Sequence, residues 1–131
     1  MCSPINRARL KPIPGSGGST SSIVARALEG DHDVFGDDSV RLIATPGHTP
    51  GHQSLLVKLP NTGSLLLSGD AVHLKDDWEN RRVPDINFDK EQTAASLQRM
   101  AEVLAKENAQ LWINHDKAQR DSLKMAPEFY D

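Results

Sequence analysis

The sequence has very little cysteine: Cys2 stands alone among 131 residues, which excludes an internal disulfide and favours a reducing compartment. Long hydrophobic runs are also absent, since no apolar stretch approaches the roughly 20 residues of a transmembrane helix. The opening residues lack the apolar segment of a secretory signal peptide. Positive charge is not in excess, because 15 Lys and Arg face 18 Asp and Glu. These absences predict a cytoplasmic globular protein that binds neither a membrane nor nucleic acid.

Length and local composition predict one domain preceded by a short flexible segment. A chain of 131 residues with 37% hydrophobic residues has room for one modest core. Residues 1–30 are basic on balance, and their stretch PIPGSGGSTSS has the composition of a loop or linker. We therefore predict a flexible basic segment over residues 1–30 and a folded domain over 31–131. A binding patch for an acidic partner is the alternative for the first segment.

Periodic patterns after residue 31 predict an α/β fold, an antiparallel meander followed by a β-α-β crossover. Strands are predicted at residues 39–45, 53–60, 64–70 and 110–116. The leucine run of the third strand indicates burial on both faces. Apolar residues three and four apart predict a helix over 89–108, with Asp89 as its N-cap and Gln92 completing a capping box. A right-handed crossover through this helix makes the last strand parallel to the third.

A polar stretch of about 18 residues, 71–88, separates the third strand from the helix, and no element is predicted in it. A loop of this length in a small domain usually has a function. The Arg81–Arg82 pair in this stretch is interpreted as a solvated face, with an anion clamp as the alternative. In the tail, Phe129 and Tyr130 are expected to dock on the domain.

Three potential metal ligands, His48, Asp70 and His115, follow the C-terminal ends of strands that run in the same direction. Such ends lie at one edge of a sheet, with alternate strands about 10 Å apart. Imidazole and carboxylate are ligands of zinc and similar divalent ions. Proline and glycine on both sides of His48, in TPGHTPGHQSLL, fix the backbone that aims its ring. The sequence therefore predicts a metal site, with His52 supporting the ring of His48.

Each of these residues also has a plainer interpretation when it is taken alone. His48 could be a surface imidazole at a turn, Asp70 a turn residue after an apolar strand, and His115 a hydrogen-bonded strand end. Their convergence on one edge is what favours the metal site. His32 lies in a polar turn and is predicted to be solvated.

The segments TPGHTPGHQSLLV, LLLSGDAVH and LWINHD, in this order, resemble the C-terminal half of the metallo-β-lactamase superfamily, and most of all the N-acyl homoserine lactone lactonases. The resemblance implies half of a four-layer αββα sandwich with two metal ions, usually zinc, between two sheets. It assigns His48 to the first metal, Asp70 to a bridging position and His115 to the second metal. The implied activity is quorum quenching by ring-opening hydrolysis of a small-molecule lactone, or of a related ester, by a metal-bound hydroxide.

Two departures from the family pattern bear on this implied activity. The His-x-His-x-Asp-His motif that supplies the other ligands is missing, because residues 1–31 contain no histidine. His73 stands where the lactonases are expected to have a tyrosine that polarises the substrate carbonyl. The predicted catalytic residues are therefore His73, at this position, and Asp70, the bridging carboxylate. We interpret the chain as a truncated member, active only with a complementary chain. The alternatives are an inactive remnant, an interaction module, or a generic α/β binding domain.

The missing half would leave one face of the sheet uncovered. Four residues predict that this face is apolar: Leu55, Val57, Leu65 and Leu67. An exposed apolar sheet face favours association with another chain. Self-association through the open sheet is therefore expected.

Overall fold

The strands of the described part of the chain, residues 27–131, form one five-stranded sheet in sequence order in this computed structural model. The flexible segment predicted over residues 1–30 lies outside the described residues except for its last four. The strands are β1 (His32–Asp33), β2 (Val40–Ala44), β3 (Gln53–Leu59), β4 (Gly63–Leu67) and β5 (Gln110–Trp112). The helices are α1 (Lys75–Glu79), α2 (Lys90–Glu107) and α3 (Lys117–Ser122), and a 3-10 turn spans Gly69–Ala71.

The sheet confirms the predicted topology. Strands β1 to β4 are antiparallel neighbours, and β5 pairs parallel to β4 after the crossover through α2. β5 ends at Trp112, four residues earlier than predicted. Between residues 27 and 131, no helix is both long and apolar enough to cross a bilayer.

Helix α2 begins and ends where the sequence predicts. Asp89 Oδ1 accepts the backbone N–H of Gln92 at 2.9 Å, and Gln92 Nε2 donates to Asp89 Oδ2 at 3.0 Å. Asn108 ends the helix in the left-handed conformation, with φ of 47°, and its N–H bonds to Leu104 O.

The core lies between α2 and one face of the sheet. Ile43, Leu56 and Leu66 come from neighbouring strands and pack with Leu97 and Met100 of α2, all of them buried. Burying each such side chain contributes about 1.5–3 kcal/mol. These contacts fix the helix, and with it the loops at both of its ends, against the sheet.

The opposite face of the sheet is partly covered. Leu55, Val57 and Leu67 are half-buried on this face, and Leu65 is buried with 3% of its surface exposed. Leu65 and Leu66 are adjacent in the strand and therefore point to opposite faces, so the predicted burial of β4 on both faces is confirmed. The other three side chains remain partly exposed.

Several local predictions are wrong. His32 is not a solvated turn residue: it is half-buried in β1 and pairs with Leu42, because a two-residue strand is too short to leave a periodic signal. The polar stretch 71–88 contains α1, whereas the sequence predicts no element there.

In the tail, Tyr130 docks as predicted, with its ring 4.8 Å from that of Trp112. Phe129 does not, since 71% of it is exposed.

The two arginines of the polar stretch are exposed, and their charges already have partners. The Arg81 guanidinium lies 4.2 Å from the centre of the Trp78 ring, and Arg82 pairs with Asp76. This agrees with the solvated face predicted for the pair.

Candidate metal centre

The loop between β2 and β3 holds His48 against the start of α2. Gly47 has a φ of 137°, and a Cβ at this position would lie 2.5 Å from the backbone nitrogen of Thr93. Only glycine fits this close approach. Ser96 Oγ, one turn further along α2, donates to the carbonyl of Pro46 at 2.6 Å. The loop is thus bonded to the helix immediately before His48.

Asn87 orients the ring of His48. Its Nδ2 donates to Thr93 Oγ1 at 3.1 Å, and the Thr93 hydroxyl donates in turn to the carbonyl of Asp89 at 2.7 Å. The Asn87 Oδ1 therefore faces His48 Nδ1, 3.0 Å away, and accepts its proton. This leaves the lone pair on Nε2 of His48 free for a ligand, as in metal-binding histidines.

His52 holds the backbone of Asp70. Its Nε2 accepts the N–H of Asp70 at 2.9 Å, so its proton is on Nδ1, which lies 3.1 Å from the carbonyl of Thr45. Burial lowers the pKa of His52, which favours this neutral form. Gly69 makes the approach close, because a Cβ there would lie 2.8 Å from His52 Nε2. The hydrogen bonds of His52 thus support Asp70, whereas the sequence predicts support for His48.

The Asp70 carboxylate lies between two imidazoles. Its Oδ1 is 2.8 Å from His115 Nε2, and its Oδ2 is 3.7 Å from His48 Nε2. The hydrogen bond from His115 lowers the pKa of Asp70, so the carboxylate is ionised at neutral pH. The structure brings together all three residues that the sequence predicts as metal ligands, and each oxygen of the carboxylate faces a different histidine.

His73 lies beside the same group. Its ring is 5.2 Å from that of His115, at an interplanar angle of 22°, and 5.5 Å from that of His48. One ring nitrogen of His73, one of His115 and one Asp70 oxygen all lie within 4.8 Å of one another. His73 Nδ1 is buried and has no hydrogen-bonding partner within residues 27–131. Because an unsatisfied buried polar atom costs about 1–3 kcal/mol, this donor set fits a divalent ion.

Asp116 joins the segments that carry His73 and His115. Its Oδ2 accepts the N–H of Lys75, two residues after His73, at 2.9 Å, and its Oδ1 accepts the N–H of Gln119 at 2.8 Å. These backbone hydrogen bonds, that of Gln119 first, lower the pKa of Asp116. Neither Asp116 nor Asn87 is predicted from the sequence, because the bonds of Asn87 to His48 and of Asp116 to Lys75 span 39 and 41 positions. Asp116 and Gln119 nevertheless have the local spacing of a helix cap. For Asn87 the one signal is the length of the polar loop.

The sequence of residues 4–107 matches the family model of the metallo-beta-lactamase superfamily. The chain belongs to the metallo-β-lactamase superfamily. The predicted family is therefore confirmed, and in this superfamily member His48 and His115 lie against Asp70 at one edge of the sheet.

Relatives of this superfamily member include two curated lactonases. It is 42% identical over 99 residues to the N-acyl homoserine lactonase AttM of Rhizobium radiobacter. It is 39% identical over 104 residues to the N-acyl homoserine lactonase AiiA of Bacillus thuringiensis subsp. kurstaki. These matches cover 76% and 79% of this chain, but 38% and 40% of the relatives. The chain thus spans about two fifths of the length of the lactonases that it matches.

A solved structure extends the likeness to the fold. This structure shows an N-acyl homoserine lactone hydrolase with the product N-hexanoyl-L-homoserine bound at the catalytic metal center. The superposition has a TM-score of 0.75 and 38% sequence identity, and covers 84% of this chain and 42% of the hydrolase. The predicted fold, part of a metallo-β-lactamase sandwich, is confirmed.

Proposed function

We propose that this chain supplies part of the catalytic metal centre of a lactone hydrolase. The substrate class is an N-acyl homoserine lactone or a related ester, and the activity is ring-opening hydrolysis of the quorum-quenching kind. The main support is the Asp70 carboxylate between His48 and His115, in a chain whose relatives are named as lactonases. Zinc is the proposed metal, because imidazole and carboxylate form its usual catalytic ligand set. The cytoplasm is the proposed location.

Each residue has a defined task in this proposal. His48 Nε2 and His115 Nε2 face separate oxygens of Asp70, so the carboxylate can be shared between two ions. A bound divalent ion would supply a hydroxide nucleophile at neutral pH and stabilise the charge that develops on the substrate carbonyl. His52 keeps Asp70 in place through its backbone. Asp70 and His115 have side chains that are 45% and 54% exposed, so a small ester can reach them.

The activity requires ligands beyond those that these 131 residues contain. A catalytic zinc ion normally takes three protein ligands, and three residues divided between two ions leave each of them short. The chain spans about two fifths of its lactonase relatives, and its first 31 residues contain no histidine. A polypeptide carrying His-x-His-x-Asp-His is the proposed partner, and it would bind the half-exposed face formed by Leu55, Val57 and Leu67.

The alternative is a remnant without activity, or an interaction module that uses the same sheet face, including for self-association. The ligand shortage in the sequence favours it. The two proposals differ in metal content and in turnover, so one experiment separates them.

Complementation with the motif-bearing half-domain is expected to restore hydrolysis. The chain is mixed with zinc and a polypeptide that contains the His-x-His-x-Asp-His half of the sandwich, and ring opening of an N-acyl homoserine lactone is followed as proton release. We expect the complex to hold about two ions and to hydrolyse the lactone, and we expect neither part alone to hydrolyse it. The control is the same polypeptide with the motif histidines changed to alanine. A complex that holds two zinc ions and hydrolyses no lactone would exclude the enzyme.

Asn87→Ala is expected to weaken zinc binding by the complex about 10–100-fold, because the ring of His48 loses the acceptor that orients it. Competition against a chromophoric chelator measures this affinity. Asn87→Asp keeps an acceptor for His48 Nδ1 and should retain more of it. Asn80→Ala, at an exposed asparagine after α1, is the matched control. Equal affinity in Asn87→Ala and Asn80→Ala would contradict the role of Asn87.

A further inference from the structure

Three of the side chains in this centre are arranged to bind one ion by themselves. We propose that Asp70, His73 and His115 form a three-ligand site for a single divalent transition-metal ion, supplied wholly by this chain. His73 is then a metal ligand rather than a hydrogen-bond donor to the substrate. The proposal rests on the metal-binding part of the proposed function and is independent of the lactone chemistry.

The spacing of the two imidazoles matches one tetrahedral ion. Two histidine rings bound to the same zinc at 2.0–2.1 Å have their centres about 5 Å apart. The rings of His73 and His115 are 5.2 Å apart. The pair is thus already at the separation that a shared ion requires.

The three ligand atoms need only a small adjustment. Ligand atoms on a tetrahedral zinc ion lie about 3.4 Å apart. Here the largest separation within the set is 4.8 Å at most, and Asp70 Oδ1 and His115 Nε2 are 2.8 Å apart. A movement of about 1.4 Å closes the set around zinc. The exposed side chain of His115 can make this movement by rotation. Its imidazole then carries one proton, on Nδ1, so that the Nε2 lone pair faces the ion, and a second ring proton, where present, is released to solvent.

The surroundings of His73 favour a ligand role over a purely structural one. Its Nδ1 is buried without a hydrogen-bonding partner in the described part of the chain. Asp70 and His73 are three positions apart in the segment that follows β4, and the Asp116 carboxylate bonds that segment to the one carrying His115. Two imidazoles and one carboxylate are a known composition of catalytic zinc sites, and they leave a coordination position open for water.

His48 lies outside this three-ligand set. Its Nε2 is 3.7 Å from the other carboxylate oxygen of Asp70, on the side away from His115. The isolated chain should therefore bind one ion, and a second ion should need the partner polypeptide.

Cobalt titration tests the proposal, because the visible absorption of Co²⁺ reports its coordination. The chain is titrated with Co²⁺ alone, and about one ion per chain is expected. His73→Phe keeps an aromatic ring against His115 but removes the ligand nitrogen. We expect it to weaken cobalt binding by more than the 10–100-fold typical of losing an outer partner, and to change the spectrum. His32→Phe, on β1, is the matched control and should bind as the original chain does.

The outcomes separate this proposal from the proposed function. Unchanged cobalt affinity and spectrum in His73→Phe, or no cobalt binding by the original chain, would overturn the three-ligand site. Weakened cobalt binding in His73→Phe, together with a zinc complex that hydrolyses no lactone, would support the three-ligand site and exclude only the proposed lactonase activity. If His73→Phe unfolds, the histidine ring nitrogens of the original chain are observed by NMR during zinc titration. Shifts at His73 and His115 and none at His32 are expected, and an unshifted His73 would overturn the proposal.

Discussion

Gly47→Ala is expected to lower the free energy of unfolding by about 2–6 kcal/mol and to release the loop that holds His48. Two effects add: a side chain at a φ of 137° costs about 1–3 kcal/mol, and overpacking costs a similar amount. The new Cβ would lie 2.4–2.6 Å from atoms of Thr93, two of them backbone atoms of α2 that cannot move aside easily. Urea unfolding of both proteins measures the difference.

Gly51→Ala is the matched control, because it makes the same change in the same loop. A Cβ at Gly51 would have no atom within 4 Å, and its φ is not in the left-handed region. Its stability should stay within about 0.5 kcal/mol of the original chain. If the two alanine variants unfold at the same urea concentration, the loop does not pack against α2 as described.

Asp70→Asn is expected to reduce the lactone turnover of the complemented enzyme about a thousandfold, or about 4 kcal/mol of transition-state stabilisation. Asparagine keeps the shape of the side chain and the backbone N–H that bonds to His52, so the fold should survive. It removes the negative charge that two imidazoles face, and with it the carboxylate shared between the ions. Steady-state kcat/KM and the zinc content of the complex measure the effect.

Asp85→Asn controls for the loss of one negative charge. Asp85 is 93% exposed and pairs with Lys90, away from the histidines. This variant should keep its zinc and its turnover. Full activity of Asp70→Asn with two ions bound would show that Asp70 takes no part in the centre.

Much of the fold could be predicted because its signals are local. The alternating apolar residues of β2 and β3 and the leucine run of β4 identify these segments as strands, and their order along the chain predicts how they pair. Asp89 and Gln92 mark the helix start by a hydrogen-bond pattern that needs no other part of the chain. The sequence does not predict β1, α1 or α3, because elements of two, five and six residues are too short to show a period.

The convergence of His48, Asp70 and His115 could be predicted from topology, since residues that follow co-directional strands meet at one edge. The groups that aim these residues could not. Asn87 is 39 positions from His48. Its side chain is buried in the fold, but in the sequence nothing distinguishes it from the other polar residues of the loop. His52 was predicted behind His48 because it is near in sequence, whereas its lone pair faces the backbone of Asp70. Such choices depend on three-dimensional packing and leave no periodic trace.

Anomalous diffraction at the zinc absorption edge, from crystals of the chain grown with zinc, is the most direct test that these distant segments share a metal. The account predicts an anomalous peak within coordination distance of Asp70 and His115, with a ring nitrogen of His73 as a third ligand and His48 facing the other carboxylate oxygen. A peak located elsewhere, or imidazoles that point away from a metal-free Asp70, would contradict it.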